Sequence, residues 1–491
     1  MNLRPYQIDA KKNIYDAFRE GTPKVLLQLP TGAGKTILFS AIINDGHAAN
    51  RRCLVLAHRS ELINQAADKL YDGFAIESGK IKAKLEKQYH LNVQVASVQS
   101  IINRLNEVGK FDIVIIDEAH HTQLKNSYGK IIKALTEVNP DIRILGVTAT
   151  PCRSNGSGFE GVFDKLIIGI SIKELIAQEH LTPPKYYVAP VDLSGIKLTA
   201  GDYNNKDLSE KYMAQVSPQS LVSNYIKVAN GTKCIGFAVD IEHSKAIVDC
   251  FNSNGIPAVH VDGKTPADRR DQAIIDFQSG KIQVLYNVGV FDEGFDLPAI
   301  ESVQLARPSK SLIKYMQMVG RALRPAKGKD YALVLDHAGL VTEHGPVEFA
   351  RKWSLKGVAK ETEEKFVYKD KETQKVYEPK QLPLNIDMDN IELVELKISE
   401  IKTRQQIAIR NKIAKNMGFA KYKGFKPMFA WYKSIDKLNA LNREELEEKI
   451  KMHADIFCEL SEYKPGYAFH LAKRYLDEKF PEDKQKVAWY C

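Results

Sequence analysis

The stretch LPTGAGKT, from Leu29 to Thr36, decides the fold of this chain. It follows a short apolar run, Lys24–Leu29 (KVLLQL), and precedes a helix-length segment, which is the strand–loop–helix context of a phosphate-binding loop. Gly32 and Gly34 allow backbone amides to turn towards a phosphate, and the N-terminus of the following helix adds the positive end of its dipole. The stretch therefore predicts a nucleotide site at the end of a buried strand.

Two side chains of this loop carry its chemistry. Lys35 is predicted to reach the β- and γ-phosphates of a nucleotide, and Thr36 is predicted to hold Mg²⁺. Leu29 occupies the position of the first glycine in the general phosphate-loop pattern. An ordinary glycine-rich turn is therefore the alternative when this stretch is taken alone.

Short apolar runs alternate with helix-length segments on the C-terminal side of the loop. The runs predicted to be strands in the first half are Cys53–Ala57, Val93–Ala96, Asp112–Ile116 and Ile142–Val147. Those predicted in the second half are Lys233–Ala238, Ala258–Val261, Ile282–Tyr286, Ser302–Leu305 and Tyr331–Leu335. Strands that alternate with helices predict parallel sheets covered on both faces. We therefore predict an α/β fold with two parallel-sheet domains in tandem and a mainly helical C-terminal domain.

The domain boundaries follow from where this alternation fades. A polar stretch with Pro183-Pro184 separates the two halves, and a charged stretch, Lys360–Lys380, follows the second half. The predicted segments are a first α/β domain (1–170), an inter-domain connection (171–217), a second α/β domain (218–350), a linker (351–390) and a basic, mainly helical accessory domain (391–491).

Composition excludes several classes of protein. Hydrophobic residues make up 44% and charged residues 27% of the 491 residues, which is typical of a globular protein. No apolar run approaches the roughly 18 residues that a membrane span needs, and the N-terminus lacks the apolar segment of a secretory signal. The six cysteines are scattered without a CxxC pair, which argues against disulfides and zinc. We expect a cytoplasmic protein with no membrane and no zinc.

Two adjacent carboxylates follow the predicted strand Asp112–Ile116. Asp117 and Glu118 begin the sequence DEAH, which ends at His120. A carboxylate at a strand tip beside a phosphate loop suits Mg²⁺, so Asp117 is the predicted metal ligand with Thr36. Glu118 is the predicted general base that orients and deprotonates the attacking water. An acidic loop without chemistry is the alternative.

A second cationic motif lies in the second α/β domain, from Gln317 to Arg324 (QMVGRALR). The spacing of its apolar residues predicts a helix, in which Arg321 and Arg324 lie three residues apart and so share one face. Two arginines on one face can hold a γ-phosphate from across a cleft. A solvated helix face is the alternative for this motif by itself.

Taken together, these residues resemble the superfamily 2 helicases of the DEAD/DEAH-box type, from Leu3 to about His344. The resemblance implies two RecA-like domains that close on ATP and Mg²⁺, with nucleic acid crossing both. The stretch Leu3–Gln7 resembles the motif that reads adenine in this family. The further residues that the matching motifs imply for the nucleotide are Arg4, Gln7, Thr31, Gly294 and Asp296, with Gln317 in the catalytic group. Those implied for nucleic acid are His58 and Arg59. Thr148-Ala149-Thr150 matches the motif that couples hydrolysis to movement.

Within that superfamily, the chain resembles RadD-like DNA helicases and helicases of phage replication modules. The stretches that carry this resemblance are Ser97–Ser100, Leu181–Pro184 and Asp336–Gly339. The resemblance implies a DNA helicase or translocase acting on single-stranded, forked or branched DNA in replication, recombination or repair. It also implies replication or recombination proteins as partners, in a bacterial cytoplasm or a phage-infected cell. An RNA helicase and an ATP-gated DNA clamp or loader are the alternatives. His337 and His344 could form a metal pair, but two structural histidines are the stronger interpretation.

The C-terminal tail is the most basic part of the chain. Residues 401–491 hold 19 Lys and Arg against 12 Asp and Glu, a net +7 of the total +9. Segment 401–433 has nine basic residues, no acidic residue and six aromatic residues, a mixture that favours single-stranded nucleic acid. The residues predicted to make these contacts are Lys423, Lys426, Trp431 and Tyr432. The alternative is a small helical domain with an aromatic core and lysines outside.

Overall fold

A computed structural model gives the fold of the chain. The residues that it describes are 3–58, 60–82, 88–153, 156–189, 191–199, 201–291, 300–358, 366–369, 376–377, 393–396, 402–403, 409, 412–413, 416–417 and 443–461. The chain divides into two compact units, one of Met1–Glu363 with Lys380–Ile398 and one of Glu364–Pro379 with Ser399–Cys491. None of the described helices is both long enough and apolar enough to cross a lipid bilayer.

The first unit contains two seven-stranded sheets. The first sheet has the strand order β3-β4-β2-β5-β6-β1-β7, and every neighbouring pair is parallel. Its strands are β1 Lys24–Gln28, β2 Cys53–Ala57, β3 Gly79–Ile81, β4 Val93–Ser97, β5 Ile113–Asp117, β6 Arg143–Thr148 and β7 Lys165–Ile168. Buried strands of this kind need helices on both faces to exclude water.

The first helix of this half precedes β1, and the others lie between successive strands in the sequence. They are α1 Pro5–Arg19, α2 Lys35–Ala48, α3 Ser60–Phe74, α4 Val98–Ile101, α5 Leu105–Val108 and α6 Ser127–Val138, with a 3₁₀ turn at Ala119–His121. Pro5 occupies the first turn of α1, where a missing amide proton costs nothing. The Asn126 side chain accepts from the amides of Tyr128 and Gly129 and so starts α6 directly after the DEAH loop.

The second sheet repeats the architecture with the order β12-β13-β11-β14-β15-β8-β20. Its strands are β8 Pro184–Val188, β11 Cys234–Ala238, β12 Ala258–Asp262, β13 Val284–Val288, β14 Ser302–Ala306, β15 Ala332–Asp336 and β20 Val394–Leu396. All neighbours are parallel except the edge strand β20, which pairs antiparallel with β8. The associated helices are α7 Ile172–Ala177, α8 Asn205–Met213, α9 Pro218–Ala229, α10 Ile241–Ser253, α11 Ala267–Ser279, α12 Leu312–Ala322 and α13 Leu340–His344.

The prediction of two parallel-sheet α/β domains is confirmed, and its strands lie within about one or two residues of the observed ones. The segment 171–217 was expected only to connect the domains, yet it supplies β8 and a short hairpin, β9 Leu198–Thr199 with β10 Asp202–Tyr203. Pro184 starts β8, which is a strand position where proline is tolerated. The proline pair therefore marks the beginning of a strand in the second sheet.

A second hairpin returns from the second sheet to the first. It consists of β16 Trp353–Ser354 and β17 Gly357–Val358, inside the segment 351–390 that was expected to be a linker. The carbonyl of Leu355 accepts from the amides of Phe159 (2.6 Å) and Glu160 (3.0 Å), and Ser157 forms a β-bridge with Gly357. The linker prediction is therefore wrong at this point, because a two-residue strand leaves no periodic signal in the sequence.

The second unit contains a small antiparallel sheet and a long helix. β18 Phe366–Lys369 pairs with β19 Val376–Tyr377 and with β21 Lys402–Thr403. Helix α14 spans Arg443–Ser461 and buries one face, at Leu446, Ile450, Ala454 and Phe457. The accessory domain was predicted to be mainly helical, and most of its residues lie outside the described residues.

Candidate active site

The phosphate loop lies between β1 and α2 at the carboxyl end of the first sheet. Gly32 and Gly34 have φ of +85° and +75°, a conformation that glycine adopts without strain. The backbone amide of Leu29 donates to the backbone carbonyl of Thr148 (2.9 Å), which fixes the start of the loop to β6. Lys35 begins α2, so the loop leads into a helix N-terminus that favours an anion.

Gln7 supports this loop from behind. Its side-chain amide donates to the carbonyls of Ala33 (3.0 Å) and Gly34 (3.3 Å), and its oxygen accepts from the Arg4 amide (2.9 Å). The Tyr6 hydroxyl also donates to Ala33 (3.1 Å). The Gln7 amide thus already has partners in the loop backbone, so reading an adenine would require it to exchange them.

Asp117 is the last residue of β5 and Glu118 follows it, next to the phosphate loop. Burial and the neighbouring Glu118 carboxylate raise the pKa of Asp117, while Lys35 opposes that rise. Glu118 has φ +48° and ψ +52°, which is a strained conformation for a residue with a side chain. Such strain is retained where the surrounding structure fixes a functional side chain, so the geometry fits a positioned carboxylate.

A short polar network connects the DEAH loop to the end of β6. Nδ1 of His120 lies 3.3 Å from Oε2 of Glu118 and 3.3 Å from Oγ1 of Thr148. The Thr148 hydroxyl donates to the Thr150 carbonyl (3.1 Å) and accepts from the Thr150 amide (3.2 Å). The predicted base is therefore linked through one imidazole to the Thr-Ala-Thr motif.

Helix α12 of the second half packs directly on the phosphate loop. A Cβ placed on Gly320 would lie 2.9 Å from Cβ of Thr31, so only glycine permits this approach. Gln317 and Arg321 are 2% and 5% exposed. No hydrogen-bond partner for either polar atom of the Gln317 amide is found among the described residues. A buried amide in that state costs about 1–3 kcal/mol, which a polar ligand in the site would recover.

Arg324 does not lie on the helix as the spacing argument expected. Helix α12 ends at Ala322, because Pro325 disfavours helical backbone at the residue before it. The Lys329 ammonium donates to the carbonyls of Ala322, Arg324 (2.8 Å) and Ile300 (2.6 Å) and so caps this end. Burial lowers the pKa of Lys329 to about 8.

The two halves enclose a cavity of about 380 Å³. The residues that line it are Arg4, Thr31, Gly32, Gly34, Lys35, Thr36, Ile37, Gln65, Lys69, Asp117, Glu118, His180, Gln317, Arg321, Arg324 and Pro325. The structure therefore brings together most of the residues that the sequence singled out for ATP, Mg²⁺ and hydrolysis. Gly294 and Asp296 lie outside the described residues, so their predicted nucleotide contacts have no structural account.

The lining also contains residues that sequence reasoning missed. His180 follows α7, and its ring lies 5.7 Å from that of Tyr6. Gln65 and Lys69 lie on α3, one turn apart. No motif marks these positions, and only the i, i+4 spacing of the polar pair on α3 was available as a signal.

Of the residues predicted for nucleic acid, His58 is described, whereas Arg59, Lys423, Lys426, Trp431 and Tyr432 lie outside the described residues. The His58 ring follows β2 and stacks on the ring of His121. A separate cleft of about 490 Å³ lies at the end of β12, and its cationic lining residues are Lys245, Lys264 and Arg269.

The two histidines weighed as a metal pair have protein surroundings. The His344 ring stacks on Tyr315, and its Nε2 lies 2.9 Å from the Ser309 carbonyl. His337 is fully buried, and that burial lowers its pKa to about 3. The contacts of His344 and the burial of His337 favour the structural interpretation, and no group of three or more metal-binding side chains occurs within the described ranges.

We expect Gly320→Ala to impair hydrolysis, because the added methyl group forces α12 away from Thr31. Overpacking of this kind costs about 1–3 kcal/mol, and each 1.4 kcal/mol of barrier is about tenfold in rate. Turnover without nucleic acid should therefore fall by roughly 5- to 150-fold if this cost appears in the barrier. Gly263→Ala is the matched control, since no atom of the described residues lies within 4 Å of the place that the added methyl group would take. Equal turnover in the two variants would contradict the close packing of α12.

Each half of the chain matches a known protein family. Residues 1–153 match the family described as "Type III restriction enzyme, res subunit", and residues 217–326 match the "Helicase conserved C-terminal domain". These spans contain the phosphate loop and the DEAH loop in the first match and helix α12 in the second. The two cavity-forming halves therefore correspond to the two families.

Individual relatives share both halves. A 51.5 kDa protein of a Lactococcus phage (isolate 7-9) is 34% identical over 329 residues, 67% of this chain and 68% of its own length. A Saccharomyces cerevisiae protein named as an ATP-dependent helicase, IRC3, is 34% identical over 359 residues, 69% of this chain and 51% of that protein. A DNA 3'-5' translocase, XPB2, of Sulfurisphaera tokodaii is 26% identical over 381 residues, 68% of this chain and 81% of that protein.

The fold also matches a solved structure, a fragment of an HsdR subunit of a type I restriction enzyme from Vibrio vulnificus. The TM-score is 0.54 at 22% identity, over 70% of this chain and 67% of that one. This likeness concerns the arrangement of the two sheets.

Proposed function

This chain belongs to the superfamily 2 helicases, which hydrolyse ATP, and from that premise we propose that it is an ATP-dependent DNA helicase or translocase. It couples hydrolysis to strand separation or remodelling during DNA replication, recombination or repair. The single observation that carries the proposal is the cavity where Lys35, Asp117 and Glu118 of the first half face Gln317 and Arg321 of the second. The phage relative supports a phage-infected or bacterial cytoplasm as its place of action.

ATP binds in this cavity with its phosphates on the loop from Thr31 to Thr36. The two glycines present backbone amides, and the Lys35 ammonium neutralises charge on the β- and γ-phosphates. The Thr36 hydroxyl and the Asp117 carboxylate are oxygen donors of the kind that Mg²⁺ prefers. A cation between them fits the buried Asp117, because it favours the ionised form that burial disfavours. Bound Mg²⁺ supplies charge neutralisation for the transferred phosphoryl group.

Hydrolysis follows from groups on both sides of the cavity. Glu118 accepts a proton from the attacking water, while His120 fixes the carboxylate from its other side. The guanidinium groups of Arg321 and Arg324 stabilise the negative charge of the transferred phosphoryl group. The Gln317 amide gains a polar partner when the γ-phosphate is present. Because α12 belongs to the second half, loss of that phosphate removes an attraction between the halves. Repeated closing and opening then moves the enzyme along a strand.

DNA is the nucleic acid that we propose. The motif set resembles RadD-like DNA helicases, and one of the relatives is named as a DNA translocase. Lys245, Lys264 and Arg269 line a cleft at the carboxyl end of β12, where cations can neutralise strand phosphates. His58 lies at the carboxyl end of β2 in the first half. These groups give a strand one candidate contact on each half.

The test is ATP turnover with forked, duplex, single-stranded and branched DNA, and with single-stranded RNA of the same length. We expect DNA to stimulate turnover more than RNA, and forked DNA to be unwound. Greater stimulation by RNA would support an RNA helicase instead. Stimulation by DNA without strand displacement would support a translocase or an ATP-gated clamp.

We further propose that the basic tail binds a single strand through Lys423, Lys426, Trp431 and Tyr432. A chain ending at Ile398 keeps the edge strand β20, which a shorter fragment ending near Val358 would lose. If about five tail cations contact phosphates, removing the tail should make the slope of log binding constant against log salt concentration less steep by about 3.5, at roughly 0.7 per contact. Between 50 and 200 mM salt, the intact protein should then lose about a hundredfold more affinity than the shortened chain. Fluorescence anisotropy measures both slopes, and equal slopes would exclude the tail as a DNA contact.

A further inference from the structure

Three imidazole rings, those of His58, His121 and His120, lie in a row between the two candidate sites, with the first pair stacked and the second tilted, and we call this row the histidine stack. The His58 and His121 ring centroids lie 4.3 Å apart with planes at 19°, and the His121 and His120 centroids lie 4.2 Å apart with planes at 43°. His58 follows β2 on the candidate nucleic-acid side. His120 contacts Glu118, so the stack ends at the predicted base.

The middle ring sits on a fixed backbone. The His121 amide donates to the Glu118 carbonyl (3.1 Å), and the His121 carbonyl accepts from Nδ2 of Asn126 (2.8 Å). Asn126 is itself held as the N-cap of α6. Because the His121 backbone is held at both its amide and its carbonyl, its ring can follow a displacement of the His58 ring only by rotation of the side chain.

We propose that His121 is a positioning residue that couples DNA at His58 to the orientation of the base Glu118, an inference that rests on the proposed DNA-dependent function. DNA that fixes the loop after β2 fixes the His58 ring, and the stack then fixes His120 against Glu118 and Thr148. His121 acts through the other two rings and contacts neither DNA nor nucleotide. The contact that matters is the flat ring face, so any planar side chain of similar size should preserve the coupling.

The experiment measures two quantities in the full chain, the ratio of DNA-stimulated to DNA-free ATP turnover and the Kd for single-stranded DNA. In His121→Ala and His121→Leu the ratio should fall by at least about fivefold, the lower end of coupling between two sites. The Kd should stay within about twofold of wild type. His121→Phe should restore most of the ratio, because it keeps a planar ring. His90→Ala, an exposed histidine of the same half, is the control.

Each other outcome overturns the inference. A wild-type ratio in both ring-less variants would show that the stack transmits nothing, and His121→Leu keeps the test valid if His121→Ala does not fold. A ratio in His121→Phe as low as in His121→Leu would show that a ring nitrogen, and not the ring face, is required. A parallel loss of DNA affinity would make His121 a DNA contact. If wild type itself is not stimulated by DNA, the proposed function fails, and the inference fails with it.

Discussion

Glu118→Gln should lower ATP hydrolysis by about 10²–10⁴-fold, the range for a positioned general base, and leave nucleotide binding nearly intact. Glutamine keeps the size and the oxygen of the side chain, but it cannot accept the proton of the attacking water. The residue has left-handed backbone, and its Oε2 lies 3.3 Å from Nδ1 of His120, so the backbone and this imidazole both position the carboxylate. Single-turnover hydrolysis measures the chemical step directly.

Two measurements make this result specific. Binding of a fluorescent ATP analogue should change by less than about threefold, since Lys35 and the loop amides remain. Glu137→Gln, on the exposed face of α6, changes the same chemical group without touching the cavity and should hydrolyse ATP normally. Hydrolysis by Glu118→Gln within about threefold of wild type would assign the base to another group.

Arg321→Ala should cost on the order of 10³ in turnover, the low end for an arginine that stabilises a transferred phosphoryl group. Arg321 is 286 positions from Lys35, yet both side chains line one cavity. Arg321→Lys keeps the charge but loses the planar fork, so it should recover only part of the rate. Steady-state turnover at saturating ATP measures the effect.

DNA affinity separates this role from two alternatives. The Kd for single-stranded DNA should change much less than turnover in Arg321→Ala, because the side chain is buried at the nucleotide cavity. An equal loss of both would indicate a DNA contact or a folding defect. A thermal melt then distinguishes these two, since only a folding defect lowers the Tm.

Local sequence patterns predicted the parts of the site that local structure creates. The apolar run before LPTGAGKT gives β1, and its glycines give the loop, so Lys35 and Thr36 could be placed without any distant contact. Asp117 and Glu118 lie at the carboxyl end of β5, and they could be placed beside the loop because strand ends in a parallel sheet meet at one edge. The buried core strands were predictable since each consists of a continuous apolar run.

Contacts between distant residues left no such signal. Gln7 was assigned to adenine from its motif, but its amide is engaged by loop carbonyls 26 and 27 residues away. Lys329 is an ordinary lysine in the sequence, and only the fold brings it to the end of α12. The stretches β20 and β17 have three and two residues, too short for any periodicity. Arg321 and Arg324 both line the cavity, but the helical spacing does not explain Arg324, because the helix ends at Ala322, shortly before Pro325.

The hairpin of β16 and β17 limits how the cavity can open. The chain crosses from the first sheet to the second between β7 and β8, and returns through the contacts of Leu355 with Phe159 and Glu160. The two halves are therefore attached twice, once through the chain itself and once through these two backbone hydrogen bonds. A movement that separates α12 from the phosphate loop must bend the chain between β7 and β8, and it must either keep these bonds or break them. Breaking each would cost about 0.5–1.5 kcal/mol.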